Sequence, residues 1–228
     1  MARLPRLAVP GECHLVVQRA HNGERVFADA VDREAYLAAL ADAAAQHALR
    51  VYGYGLADAQ ALLLVEPEHV GSLSRTLQAL GRRHVAAFNR RHQRRGTLWD
   101  GRFRAGVVES PRWVLPALVF TETSVLPFGE AALADASRSS LPHHTGVQRI
   151  SMVSDHSCYW ALGNTPFDRE AAFRRLVGQG LVAADRDALA HTVEHGWALG
   201  TPAFVAQLAA QTLRPLQPRP RGRPRRSE

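Results

Sequence analysis

Along the first half of the chain the spacing of apolar positions changes repeatedly, and each change marks an element. The run CHLVVQ at 13–18 is rich in β-branched residues and lies between Pro10-Gly11 and the turn His21-Asn22-Gly23, which predicts a first strand. After Asp32, the residues Tyr36, Leu37, Leu40, Ala44 and Ala48 recur at helical spacing and predict an amphipathic helix. Residues 50–56 and 60–66 read as two strands of a hairpin joined around Ala57-Asp58, the second holding the run ALLLV and stopped by Pro67. Ser72 is placed to cap a long second helix whose stripe is Leu73, Leu77, Leu80, Val85 and Phe88. A short strand at 105–108 and a third helix over about 111–123 complete a β-α-β-β-α-β-α order. That order predicts an α+β domain of ferredoxin-like type, an antiparallel sheet with helices packed on one face.

Past about residue 129 the pattern changes. Residues 131–153 hold Ser, His and Pro without a period and read as an irregular connection. Thr165-Pro166 and Thr201-Pro202 each set an N-cap threonine before a proline at the first helical position, opening helices that carry Phe167, Ala171, Phe173 and Leu176, and Phe204, Leu208 and Leu213. Between them 185–195 predicts a further helix closed by Gly196. The last two helices, linked through GWALG at 196–200, admit two readings, a packed pair or a helix-turn-helix, with packing the commoner outcome. The expected organisation is a domain at 1–128, a small helical C-terminal extension at 129–213 and a disordered basic tail at 214–228.

Charge sharpens this picture. All 28 Lys+Arg residues are arginine, which removes every mechanism that needs a titratable amine, because guanidinium stays protonated. Nine arginines stand against one acid, Asp100, between Arg75 and Arg104, and six against one acid from Arg214 to the end; the remainder is net acidic although the whole chain is +7. Two basic segments on an acidic protein point to a polyanion, most simply nucleic acid. A GC-rich genome accounts for arginine in place of lysine but not for its clustering. Cys13 and Cys158 make no disulfide framework or paired-cysteine metal motif, and no signal peptide or apolar run near 18 residues is seen, so a reducing bacterial cytoplasm, at the nucleoid, is the expected location, with no membrane.

The basic blocks carry a resemblance. Pro10-Gly11, His14 and Gln18-Arg19, followed by Gly81-Arg82-Arg83, Phe88-Asn89-Arg90-Arg91, Gly96-Thr97-Leu98-Trp99 and Gly101-Arg102-Phe103-Arg104, resemble the REP-associated tyrosine transposases, a branch of the single-tyrosine HUH transposases of bacteria. The likeness is specific over 79–110 and looser from about residue 3 to the C-terminus. It implies a ferredoxin-like catalytic fold, usually a dimer, that binds a DNA hairpin and cuts single-stranded DNA with a tyrosine and one divalent metal, Mg²⁺ or Mn²⁺.

The same resemblance places the chemistry. Two histidines separated by one apolar residue belong on a strand, where alternation turns both to one face to hold the metal against the scissile phosphate. In YGLADAQALLLVEP those positions are Gln60 and Leu62, and a placement one residue earlier gives Ala59 and Ala61. His69 or His84 would have to reach that face to substitute. Matched through Ser110 and Arg112-Trp113, the nucleophile position is Phe120, the amide position four residues on is Ser124, and the following proline position is Val125. Phenylalanine has no hydroxyl to attack phosphorus. The expectation is therefore a binding protein of transposase ancestry, with no resident cofactor and with strand cleavage lost. A working transposase with relocated catalytic residues and a regulatory dimer partner of an intact relative stand as alternatives.

The expected DNA contacts are Arg75, Arg82, Arg83, Arg90, Arg91, Arg94, Arg95, Trp99, Arg102 and Arg104. Aromatic residues among arginines can stack on splayed bases. Phe88 lies on the apolar stripe and reads as core, whereas Trp99 and Phe103 are open between contact and core anchoring. Gly96, Gly101 and Gly106 read as turn glycines rather than a phosphate cradle. In the tail QPRPRGRPRR, at 217–226, the core Pro220-Arg221-Gly222-Arg223-Pro224 resembles an AT-hook, with Arg221 and Arg223 placed to enter an A·T-rich minor groove. The plainer reading is a basic arm bound through counterion release alone.

Overall fold

The computed structural model describes residues 6–124, 135–212 and 214–218. Its strands are β1 (Cys13–Arg19), β2 (Leu49–Ala57), β3 (Gln60–Pro67), β4 (Arg104–Val108) and β5 (Ala198–Leu199). Its main helices are α1 (Ala30–Gln46), α2 (Ser72–Arg91) and α3 (Ser110–Thr123), followed by α4 (Leu141–His144), α5 (Ser157–Trp160), α6 (Pro166–Gln179), α7 (Ala183–His195) and α8 (Pro202–Ala209). β1 pairs antiparallel with both β3 and β4, and β3 with β2, so the sheet runs β2-β3-β1-β4 with β5 added parallel to β4. The first four strands have the order that a ferredoxin-like β-α-β-β-α-β chain requires.

Register decides what each face buries. Val16 of β1 and Ala61, Leu63 and Val65 of β3 turn to one face, where α1 and α2 pack with Tyr36, Leu40, Leu73, Leu77 and Leu80. Leu15, Val17, Leu62 and Leu64 turn to the other, against Val114, Leu118 and Phe120 of α3 and against Tyr159, Phe173, Leu189 and Val193. The expectation of helices on one face describes α1 and α2. The second face is covered as well, by α3 and the C-terminal helices, which is why β1 and β3 read as continuous apolar runs without polar alternation. A third cluster joins Leu7, Val9 and Val107 to Ala198, Phe204, Leu208 and Leu216.

Several details differ from the sequence reading. α2 is preceded by Gly71, at φ 88°, while Ser72 lies inside the helix with its hydroxyl buried, so it does not cap. Asp29 is the cap of α1, accepting from the Asp32 N–H. Thr165 and Thr201 do cap α6 and α8, the former in a reciprocal box with Asp168. The link between α7 and α8 holds strand β5, whose two residues are too few to show a period, and the helices pack in different clusters, Leu189 and Val193 of α7 with Leu15 and Leu118, and Phe204 and Leu208 of α8 with Leu7 and Val107. The expected tail begins within the structure: Leu216 is buried and its carbonyl accepts from the Ala198 N–H at 2.9 Å. Arg221, Arg223, Val125 and Leu213 lie outside the described residues. No described helix is long and apolar enough to cross a membrane.

Candidate nucleic-acid interface

α2 spends its apolar face on the core, burying Leu73, Leu77, Leu80, His84 and Phe88, and this leaves its arginines outside. With the arginines of β1, β4 and the loop after α2 they fall into two groups. Arg83 pairs with Asp42, Arg94 with Glu24, and Arg91 with Asp29 at 2.5 Å and Asp32 at 2.6 Å. The hydrogen bonds from Arg91 hold the Asp29 carboxyl down at about 2. Arg104 and Arg19 share Glu194. Arg75, Arg82, Arg90, Arg95 and Arg102 are exposed and make no ion pair among the described residues. The paired arginines are already neutralised within the fold, whereas the second group has no counter-charge among the described residues.

Three of the unpaired arginines meet at one place. A cleft of about 520 Å³ lies between α2 and the loop at 99–103; among the described residues Arg6, Arg75, Arg82 and Arg102 line it, no carboxylate does, and Leu77, Trp99 and Phe103 supply its apolar surface. A second cleft of about 460 Å³ shares Arg6, Arg102 and Phe103 and runs on past Arg104 to His195 and Arg214, where Asp100 and Glu194 dilute the positive charge. Gly96 and Gly101 sit at φ 92° and 69° with open space around them, which supports the turn reading. Trp99 packs its ring on Phe27, Tyr36 and His84 at centroid distances of 6.2, 6.2 and 5.8 Å, so it is chiefly a core anchor that also edges the cleft. Phe103 is half-buried, with the Arg6 guanidinium 3.9 Å above its ring. Neither Arg6 nor the Gln18 amide, which also lines the cleft, stood out as a contact in the sequence. Long-range packing alone brings them to α2.

The positions assigned to cleavage chemistry also lie near one another. Gln60 opens β3 opposite Arg19, and Leu62 lies two residues on, facing the same cluster as Phe120 of α3. Leu62 and Phe120 are buried among carbon atoms, and Ser124 is an exposed C-cap residue. All four tyrosine hydroxyls are committed: Tyr36 donates to Gln18 Oε1 at 2.8 Å, Tyr52 to Glu66 Oε2 at 2.9 Å, Tyr54 to the Ala136 carbonyl at 2.5 Å and Tyr159 to the His144 carbonyl at 2.9 Å. Burial raises the pKa of each, Tyr159 to about 12.

The positions that the resemblance assigns to metal ligands do not fit a hard divalent ion. Leu62 has no lone pair, and His84 lies on the opposite face of the sheet, its Nε2 2.9 Å from the Val26 carbonyl. Two other groups bring ligand-type atoms within 4.8 Å: Cys13, Glu66 and His156, and His143, His144 and Asp155. In the first, His156 Nδ1 accepts from the Cys158 N–H at 3.0 Å, which leaves the proton on Nε2 and no lone pair for an ion. Burial pushes the Cys13 thiol up, so it stays protonated. In the second, His143 Nδ1 accepts from the Ile150 N–H at 3.0 Å and its Nε2 lies 3.2 Å from Asp155, the same tautomer, whereas His144, with Nδ1 2.7 Å from Glu122 Oε1, keeps a buried Nε2 without a hydrogen-bond partner among the described residues.

No family model matches the chain, and no curated protein does. Among solved structures, one described as a REP-associated tyrosine transposase bound to a REP hairpin is similar over 68% of this chain and 99% of its own, at a TM-score of 0.48 and 9% identity. A candidate transposase from Deinococcus radiodurans R1 is similar over 48% of this chain and 88% of its own, at a TM-score of 0.37 and 20% identity. The α+β architecture stands on the strand order itself, and the likeness to REP-associated tyrosine transposases is carried by the sequence blocks at 79–110.

Proposed function

We propose that this protein binds hairpin or single-stranded DNA through the outer face of α2 and the loop that follows it, and that it does not cut the strand. The observation that carries the reading is the sorting of the arginines. Among the described residues Arg75, Arg82 and Arg102 converge without ion pairs on a cleft lined by no acid, while Arg83, Arg91 and Arg94 are neutralised in place. Phosphate oxygens are the natural partners of such guanidinium groups, and apolar surface between them suits bases. Loss of cleavage is supported by carbon side chains at Leu62 and Phe120 and by four tyrosine hydroxyls already engaged within the fold. Transposase ancestry, homodimerisation, contact with A·T-rich duplex through the tail and residence at the nucleoid belong to the same reading.

One assay tests both halves. A hairpin-containing single strand is incubated with the full chain and Mg²⁺ or Mn²⁺, and binding and cleavage are measured on the same oligonucleotide. Binding without product or covalent adduct is expected. A metal-dependent phosphotyrosine adduct would install the alternative of a working transposase with relocated residues, and no binding at low salt would remove the DNA reading altogether.

A further inference from the structure

Three of the six large apolar side chains that stand exposed among the described residues gather at one place: Val147 at 63%, Trp160 at 52% and Phe167 at 71%. Val147, Trp160 and Pro166 line one hollow of about 280 Å³, and Phe167 follows Pro166 in the first turn of α6. The sequence sets Phe167 beside Phe173 on α6, yet only Phe173 enters the core. The reciprocal box of Thr165 and Asp168 starts the helix, and the Phe167 ring is left to solvent. Trp160 is held in place, because the buried Arg169 guanidinium stacks 4.1 Å from its ring centroid while donating to the Gly163 carbonyl at 3.1 Å. Apolar residues exposed singly are ordinary, whereas a fixed group of them around one hollow marks a contact surface.

The charges around the hollow identify the occupant. Arg149 and Arg169 stand with Asp155 and Glu170, two of each sign, and neither Arg149 nor Glu170 makes an ion pair among the described residues. A phosphate backbone brought here would meet both carboxylates, which the cleft beside α2 spares it. A two-fold contact between identical surfaces sets residue i against j and j against i, so a face must carry both signs of charge to complement itself. This face does, whereas the cleft beside α2 would set arginine against arginine. We propose that two copies of this chain associate through this face about a two-fold axis, with Val147, Trp160 and Phe167 at its apolar centre and Arg149 of each copy meeting Glu170 of the other. The hollow is below the usual size of a ligand cleft and takes a side chain of the second copy. Phe173 of α6 packs on the face of the sheet opposite to α2, so the contact leaves the arginine cleft open. The inference gives a place to the homodimer included in the reading above and does not depend on DNA binding.

The test is sedimentation velocity of the full chain over a wide range of concentration, with hairpin affinity measured on the same samples. A monomer should give way to a dimer as concentration rises. Phe167→Asp charges the apolar centre, and an acid in the first turn suits a helix start, so the urea midpoint should hold while dimerisation weakens by about tenfold or more. Arg149→Glu and Glu170→Arg should each weaken it as well. The two changes combined in one chain should restore it, and a mixture of the two single variants should form a heterodimer more readily than either forms a homodimer, since each arrangement again sets opposite charges together. Should Glu170→Arg fail to fold, Phe167→Asp and Arg149→Glu decide the matter. A chain that stays monomeric throughout overturns the proposal, as does a dimer that none of these changes weakens. A monomer whose hairpin affinity drops in Phe167→Asp would make the face a DNA contact and overturn self-association. A dimer weakened as expected but without affinity for the hairpin would remove the DNA reading and leave this one standing.

Discussion

His14 is fully buried with both ring nitrogens engaged: Nδ1 lies 2.7 Å from the Glu12 carbonyl, and Nε2 accepts from the Val9 N–H at 3.1 Å. Burial pushes its pKa down to about 4, and His84, His143 and His156 are displaced in the same direction by the same cause. The folded chain holds the neutral ring, whereas the unfolded chain takes up a proton below about pH 6.5. Stability is therefore full above that pH and falls as pH drops toward 4, by roughly 3 kcal/mol for His14 alone. Urea denaturation between pH 7 and 4.5 should show this fall, and His14→Gln should flatten part of it. Phe120 offers a second check at this scale. Phe120→Tyr restores a hydroxyl at the assigned nucleophile position but no metal ligand at Leu62, so no covalent DNA adduct should appear on a denaturing gel. The hydroxyl enters an apolar cluster, and the variant should lose about 1 kcal/mol of stability.

Among the elements, α2 separates charge paired within the fold from charge left exposed. Arg91 ties the end of α2 to the start of α1 through Asp29 and Asp32, so Arg91→Ala should lower the thermal midpoint more than it lowers DNA affinity. Arg82→Ala with Arg102→Ala should do the reverse and flatten the log-log dependence of affinity on salt by roughly 0.7 per lost contact for single strands. An unchanged slope would make these arginines a solvated face. Clustering of arginine was legible in the sequence, but its pairing was not: Asp42 lies 41 residues from Arg83, and Glu194 lies 90 from Arg104. The strands were legible because two-sided burial writes itself as apolar runs, and α1, α2 and α3 because their stripes have a period. β5 has no period, and its place is decided by close backbone approach. A Cβ on Gly106 of β4 would lie 2.5 Å from Thr192 Cγ2, 2.7 Å from the Thr192 carbonyl and 2.8 Å from the Trp197 carbonyl. Gly106→Ala should thus lift α7 and β5 from the sheet edge and cost about 1–3 kcal/mol, read as a lower urea midpoint. The turn role read for Gly106 from the sequence does not hold: the residue lies within β4, paired with Leu15, and lets two elements touch. Trp99 was open in the sequence because a loop has no stripe, and only its ring partners decide for the core.

For the molecule as a whole, the last described residues tie the start of the expected tail into the fold. Leu216 is 6% exposed in the cluster with Leu7, Val107 and Phe204, and it accepts a backbone hydrogen bond from Ala198 of β5. A chain ending at Thr212 should therefore lose about 2–3 kcal/mol through the missing leucine and its backbone pairing. A chain ending at Pro218 removes a segment with no apolar residue and should keep the full urea midpoint. Its DNA binding should still change, because five arginines leave with it and the flanks of Gly222 go too. If Arg221 and Arg223 enter a narrow minor groove, the loss of affinity will be larger on A·T-rich than on G·C-rich duplex, and Arg221→Ala or Arg223→Ala in the full chain will reproduce most of that difference. A basic arm without groove preference gives equal losses on the two duplexes, shared evenly among the arginines and steepest at low salt. Unchanged affinity for both duplexes would leave the cleft beside α2 as the sole DNA contact.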